Sequence, residues 1–247
     1  NTFRNYVGAV GYACDYCGLP SAATRDRLLI RAWRAIKLRA PPPREHFIGR
    51  ALLANLMRLA VLEGDDRAAM LYCATYGFLF RCANEALPLV CGGVVSRKLP
   101  PGVHSAVEVS QSHVRISLAS RKNRPHGVIL RRECWCSVCS VTCPVHAFGA
   151  WLAGFNAGDK PFQGYRADVA MADLRRRLAV LGVQDAHLYR LHDFRRGHAD
   201  DLLASGAPLV VILKAGDWKS AAFLSYLKRE DLEARAVLAA HMDELSD

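Results

Sequence analysis

The stretch Leu191-His192-Asp193-Phe194-Arg195-Arg196-Gly197-His198-Ala199 decides how this chain is read. It sets two imidazoles and two guanidiniums at the start of a helix expected over Leu191–Ser205 and closed by Gly206. The line continues through Ala215-Gly216-Asp217-Trp218 to Phe223-Leu224-Ser225-Tyr226, which places Tyr226 31 residues after Arg195. Taken singly, each residue has an ordinary use. His192 and Arg195 can cap a helix, Trp218 can fill a core, and a tyrosine among Ala, Phe and Leu is most often a core aromatic. The order and spacing of the whole set argue for chemistry.

Outward from that stretch the pattern is mainly α with a small antiparallel β-sheet. Helical spacing of apolar residues marks 3–18, Arg25–Leu38, Arg50–Glu63, Asp66–Phe80, Val145–Asn156, Arg166–Leu181, Leu209–Ala215, Ala221–Leu227 and Asp231–Leu245. In the first of these, Tyr6, Val7, Val10, Cys14 and Cys17 fall at helical spacing and Gly18 closes the helix. In the second, Leu29, Trp33 and Ile36 are expected inward. Asp65 or Asp66 is the expected N-cap of the helix that follows it. Alternation marks strands at Ala106–Val109, Val114–Leu118 and Val128–Leu130, with the basic turn Arg121–Gly127 between the last two. Three consecutive prolines, Pro41–Pro43, form a stiff extended segment. They divide the chain into a helical piece over 1–40, a linker over 41–47 and a larger domain over 48–247.

Of the 247 residues, 51% are hydrophobic, enough for a sizeable core. The formal net charge of +10 favours a polyanionic partner, since each Lys or Arg that meets a phosphate releases counterions. The excess is local. Arg97–Arg132 holds eight Lys or Arg against one acid, Glu108, whereas Glu230–Asp247 holds six acids against one Arg. A basic stretch that can face DNA is thus separate from an acidic tail that should avoid it. No apolar run reaches the roughly 18 residues that a bilayer span needs, and no signal peptide is visible, so no membrane association is expected. Beginning at Asn1 without Met, and already in a helical pattern, the chain reads as an excised piece. Its nine cysteines are expected as reduced thiols of the cytosol or nucleus, or as metal ligands.

The segment from His192 to Tyr226 resembles box II of the tyrosine recombinases and integrases: His-x-x-Arg, a helix ending in Gly, a Gly-His or Gly-Trp turn, then the nucleophilic tyrosine. Gly77-Phe78-Leu79-Phe80-Arg81-Cys82-Ala83-Asn84-Glu85-Ala86-Leu87 resembles box I, with Arg81 as its arginine. The basic turn supplies Lys122 where the family keeps a lysine, and the pattern around Thr2, Asn5 and Tyr6 resembles the end of the family's helical core-binding domain. The resemblance implies a tyrosine recombinase catalytic domain preceded by part of that core-binding domain. The wording of the boxes is closest to fungal Crypton-type transposon recombinases. Two positions depart from the family pattern. Three residues after Arg81 stands Asn84, and the acid is Glu85, one further. The box II turn places Trp218 eight residues before Tyr226, where nine is commoner in the family; an ungapped match would instead put Asp217 at the His/Trp position. Trp218 is preferred, because a carboxylate facing the scissile phosphate would repel it.

The resemblance implies a site-specific recombinase or transposase that cuts and rejoins DNA through a 3′-phosphotyrosyl intermediate. Metal-free strand cleavage needs a nucleophile, a proton for the leaving oxygen and cations around the phosphate. Tyr226 would attack phosphorus and conserve the ester's energy in a covalent link. Arg81 and Arg195 would grip the non-bridging oxygens with bidentate geometry. Lys122 would protonate the leaving 5′ oxygen, and His192 would assist proton transfer at Tyr226. Trp218 would donate its indole N–H to a non-bridging oxygen. Glu85 and His198 would support these residues, and Arg121, Arg124, Arg196 and Lys219 are expected DNA contacts. No cofactor is needed for catalysis. The partner would be double-stranded DNA, bound by a homotetramer in which the tail carrying Leu232, Val237, Leu238 and Leu245 docks on a neighbour or on its own domain. A nuclear location is implied. Two other readings are a catalytically inactive, domesticated DNA-binding protein of the same fold and a strand-nicking enzyme of topoisomerase IB type.

One motif lies outside this scheme. Cys134-Trp135-Cys136 is followed by Cys139, Cys143 and His146. Cys134, Cys136, Cys143 and His146 match the soft, tetrahedral preference of structural zinc, with Cys139 as an alternative ligand. Buried free thiols beside a helix-start histidine would give the same sequence.

Overall fold

The computed structural model describes residues 2–27, 30–32, 46–91, 106–118, 121, 124, 126–136 and 141–218. The chain divides into two compact units, Asn1–Glu45 and His46–Asp247. In the first, helix α1 spans Thr2–Tyr16 and is followed by Gly18 at φ +67° and a short 3-10 turn at Ala22–Arg25. Tyr6 and Val10 are exposed on it, Val7 and Cys14 are half-buried, and Cys17, just past its end, is exposed. The helix expected over 25–38 falls largely outside the described residues, as do the linker prolines.

The second unit is mainly helical around one small sheet. Helix α2 spans Arg50–Leu62 and α3 spans Asp66–Gly77, joined by Gly64 at φ +74°. Asp65 caps α3, its carboxylate accepting the backbone N–H of Ala68 at 3.0 Å. Helix α3 is buried all round, from Ala68 to Gly77. That explains its composition: a helix packed on α2, on α4 (Pro144–Leu152) and on α6 (Asp193–Ala204) has no wet face to carry charge. It ends three residues before Phe80, the expected terminus, because Leu79 adopts a left-handed backbone, φ +52°. That conformation is costly for a branched side chain, and it turns the local carbonyls out of the helix. A single π turn follows at Cys82–Ala86.

The sheet has the order β1-β2-β3-β4, with β1 at Val90–Cys91, β2 at Ala106–Val109, β3 at His113–Leu118 and β4 at Val128–Glu133. Strands β2, β3 and β4 are antiparallel as expected, with Ile116 opposite both Val107 and Leu130. The short β1 pairs parallel to β2, so the sheet is mixed rather than antiparallel throughout. Two residues are too few to show any alternation in sequence, and their pairing is non-local. Val107, Val114, Ile116, Leu118 and Leu130 are buried, and α4 packs on the sheet. Helix α5 spans Ala167–Val180 and α7 spans Leu209–Gly216. Helix α6 lies so close to the chain entering α2 that a Cβ on Gly197 would sit 2.0 Å from the Ile48 carbonyl oxygen, and Asp193 accepts the Ile48 N–H at 3.0 Å. Among the described residues no helix is long and apolar enough to cross a membrane.

Candidate active site

Arg195 lies two residues into α6 and is fully buried. Its Nη1 donates to the carbonyl of Leu79 at 2.5 Å, and its Nη2 donates to the carbonyl of Gly216. The left-handed turn at Leu79 and the C-terminal end of α7 therefore aim the guanidinium from two sides. The Trp218 ring lies beside it, its centroid 4.6 Å from the guanidinium carbon. Gly216 makes this placement feasible: a Cβ there would fall 1.9 Å from Cζ3 of Trp218. Asp217, at φ +53°, caps α7 and pairs with Arg124 at 3.2 Å. Of the two residues weighed for the box II turn, Trp218 is the one stacked on Arg195.

Arg81 stands at the start of the π turn. Its Nη1 donates to Glu85 Oε1 at 2.8 Å, and its backbone N–H donates to Glu85 Oε2 at 3.0 Å. The Glu85 N–H donates to the Arg81 carbonyl at 2.8 Å, so the fourth residue lies one turn on and returns over Arg81; the π bond, from the Leu87 N–H to the Cys82 carbonyl, begins one residue later. Glu85 is buried and faces a second cation, Arg121, whose Nε lies 3.3 Å from both carboxylate oxygens. Arg121 Nη2 also donates to the Leu79 carbonyl at 3.1 Å. Arg121 was expected to contact DNA from an exposed turn; it is buried and serves this internal network instead. Composition suggested a solvated turn, and only the fold brings Glu85 to it.

His192 is half-buried at the N-cap of α6. Burial, followed by the cations Arg195, Arg196, Arg81 and Arg190, pushes its imidazole down from the ordinary value to about 4. It is neutral near pH 7 and able to accept a proton. His198, three residues past Arg195, is buried elsewhere. It stacks on Tyr76 at 4.4 Å and its Nδ1 lies 2.6 Å from the Tyr76 carbonyl, a contact that needs the Nδ1–H tautomer. Burial holds it too at about 4. Arg124 is exposed, and Arg196, partly exposed, lies 3.6 Å from Asp193. Lys122, Lys219, Tyr226 and the tail lie outside the described residues. The structure thus gathers Arg81, Glu85, Arg121, His192, Arg195 and Trp218 around the turn at Leu79–Arg81. The Leu79 and Gly216 carbonyls had no sequence signal as site groups; the glycine beside a tryptophan was the nearest hint.

The cysteine cluster also assembles. One ligand atom each from Cys134, Cys136, Cys143 and His146 lie within 4.8 Å of one another. Burial raises the Cys143 thiol, but hydrogen bonds from the backbone N–H groups of His146 and Trp135, joined by the His146 and Cys136 side chains, together bring it down to about 6. Cys139 lies outside the described residues.

The helical domain with its small mixed sheet shares its fold with a solved site-specific recombinase. The particular likeness is to a crystal structure of the XerH site-specific recombinase bound to difH substrate, in a pre-cleavage complex. The TM-score is 0.50 at 13% identity, over 79% of this chain and 55% of that one. The likeness is one of fold, and the chain spans about half the length of that protein. No protein-family profile matches the chain, and no curated protein matches it.

Proposed function

We propose that this chain is the catalytic part of a tyrosine recombinase that breaks and rejoins DNA strands through Tyr226. The observation that carries the reading is the convergence of Arg195, Arg81 and His192 on one turn, with Trp218 stacked on Arg195. Two guanidiniums oriented by backbone carbonyls and a buried carboxylate are preorganised for a phosphate whose charge grows in the transition state. A neutral histidine among them can accept a hydrogen bond from the tyrosine hydroxyl and so would assist its proton transfer. Lys122 would deliver a proton to the leaving 5′ oxygen, and Lys219, Arg124 and Arg196 would contact the duplex backbone. No metal is required for these steps.

The kinship to Crypton-type elements, the nuclear site of action, the two-part grip on double-stranded DNA and the homotetramer rest on the motif wording and belong to this reading. A suicide duplex, nicked so that the cleaved end diffuses away, tests it. Wild-type chain should form a covalent adduct visible on a denaturing gel, and Tyr226→Phe should form none. An adduct that persists in Tyr226→Phe would overturn the assignment. Binding without any adduct in wild type would favour the domesticated, inactive DNA-binding protein.

A further inference from the structure

Cys134 and Cys136 leave the end of β4, while Cys143 caps α4 and His146 lies in its first turn. Chain connectivity does not require their side chains to meet, since residues 137–140 separate the two pairs. Yet Cys134 Sγ lies 3.8 Å from Cys143 Sγ and 3.6 Å from His146 Nδ1. Zinc bonds of about 2.3 Å to sulfur and about 2.0 Å to nitrogen give tetrahedral edges of about 3.8 Å between sulfurs and about 3.6 Å between sulfur and nitrogen. Two edges therefore already have the length a bound ion would impose. The third, Cys136 Sγ to His146 Nδ1, is 2.6 Å and would open by about 1 Å on metal entry.

We infer that Cys134, Cys136, Cys143 and His146 form a structural zinc site joining β4 to α4. Three thiolates and one imidazole suit zinc better than magnesium or calcium, which prefer oxygen. Four protein ligands close the coordination sphere, so the ion has no open position for substrate or water. Its effect is on packing. Trp135, held between two ligands, meets His198 edge-on at 6.2 Å, and its Cη2 lies 3.7 Å from where a Gly77 Cβ would be. The ion thereby fixes a tryptophan wedged between α3 and α6, the helix that carries Arg195. This inference does not depend on whether the chain cuts DNA.

The test uses the whole chain, reduced and purified without chelator. Elemental analysis should find about one zinc per chain. Cobalt exchange should give the visible bands and the near-ultraviolet charge-transfer band of a tetrahedral thiolate site. The double variant Cys134→Ser with Cys136→Ser should fall below about 0.2 zinc per chain, whereas Cys17→Ser should keep its metal. Chelation should lower the melting temperature of the wild type, and added zinc should restore it. Should the double variant fail to fold, the chelation and cobalt titrations of the wild type decide. Zinc far below one per chain after reduction and reconstitution overturns the inference, as does a Cys134–Cys143 disulfide in the reduced preparation by mass spectrometry.

Discussion

Arg177 and Arg195 are buried alike and held in opposite ways. Arg177, on α5, is met by carboxylates: its Nε lies 2.8 Å from Glu63, its Nη2 lies 2.6 Å from Asp65, and its Nη1 donates to the Tyr72 hydroxyl at 3.0 Å. Arg176 completes the group with two bonds to Glu63. Arg195 is met by the carbonyls of Leu79 and Gly216 and by an indole face. A carboxylate both fixes a cation and offsets its charge, wholly where two acids meet one guanidinium as at Arg177 and in part where Arg81 and Arg121 share Glu85, whereas a carbonyl dipole orients the cation and offsets less. The first arrangement locks α5 to the α2–α3 turn. The second aims the guanidinium through two backbone dipoles, the arrangement the proposed phosphate contact would use.

Replacing each arginine should separate the two roles. The largest effect is expected at Arg177→Ala, which leaves Glu63 and Asp65 facing no guanidinium from that position. Urea unfolding should show a loss of about 3 kcal/mol, with cleavage per folded molecule unchanged. A fall in cleavage like that of the Arg195 variant would break the comparison. Next, Arg195→Lys should lower single-turnover cleavage of the suicide duplex by about 100-fold, because an ammonium cannot reproduce the two-carbonyl, bidentate geometry. Gel-shift affinity should move far less, and an equal drop in binding would mean that Arg195 serves affinity instead.

Glu85→Gln should cost about 2 kcal/mol of stability, since it leaves buried Arg121 beside a neutral amide. It should also loosen Arg81, and thermal melts with cleavage rates on the same preparations would show both. The smallest expected effect is with pH. His192 and His198 are held near about 4, below the ordinary histidine value, so the folded state binds fewer protons than the unfolded state between those limits. Stability should therefore fall as pH drops from about 6.5 towards about 4. For His198, the Tyr76 carbonyl opposes burial while Arg132 and Arg50 add to it. Urea midpoints measured across that window should show a shallower slope in His198→Phe; an unchanged slope would remove His198 from the account.

Much of this was legible in the chain itself. The helices at Arg50–Leu62 and Ala167–Val180 follow the 3.6-residue spacing because each buries one face, and the apolar residues Val114, Ile116 and Leu118 of β3 follow the period of two. The order of Arg81, His192, Arg195 and Trp218 was equally visible, since side-chain chemistry is written residue by residue. What the sequence did not contain was the work of non-local contacts. The parallel pairing of Val90–Cys91, the left-handed Leu79, and the burial of Arg121 against Glu85 depend on segments distant in sequence. So does the stacking of Trp218 on Arg195, which rests on an indole folding back over Gly216. Sequence alone determined which charged groups are available. The tertiary structure decided which are neutralised and which stay aimed, because a buried charge is governed by the dipoles and counter-charges that folding places around it.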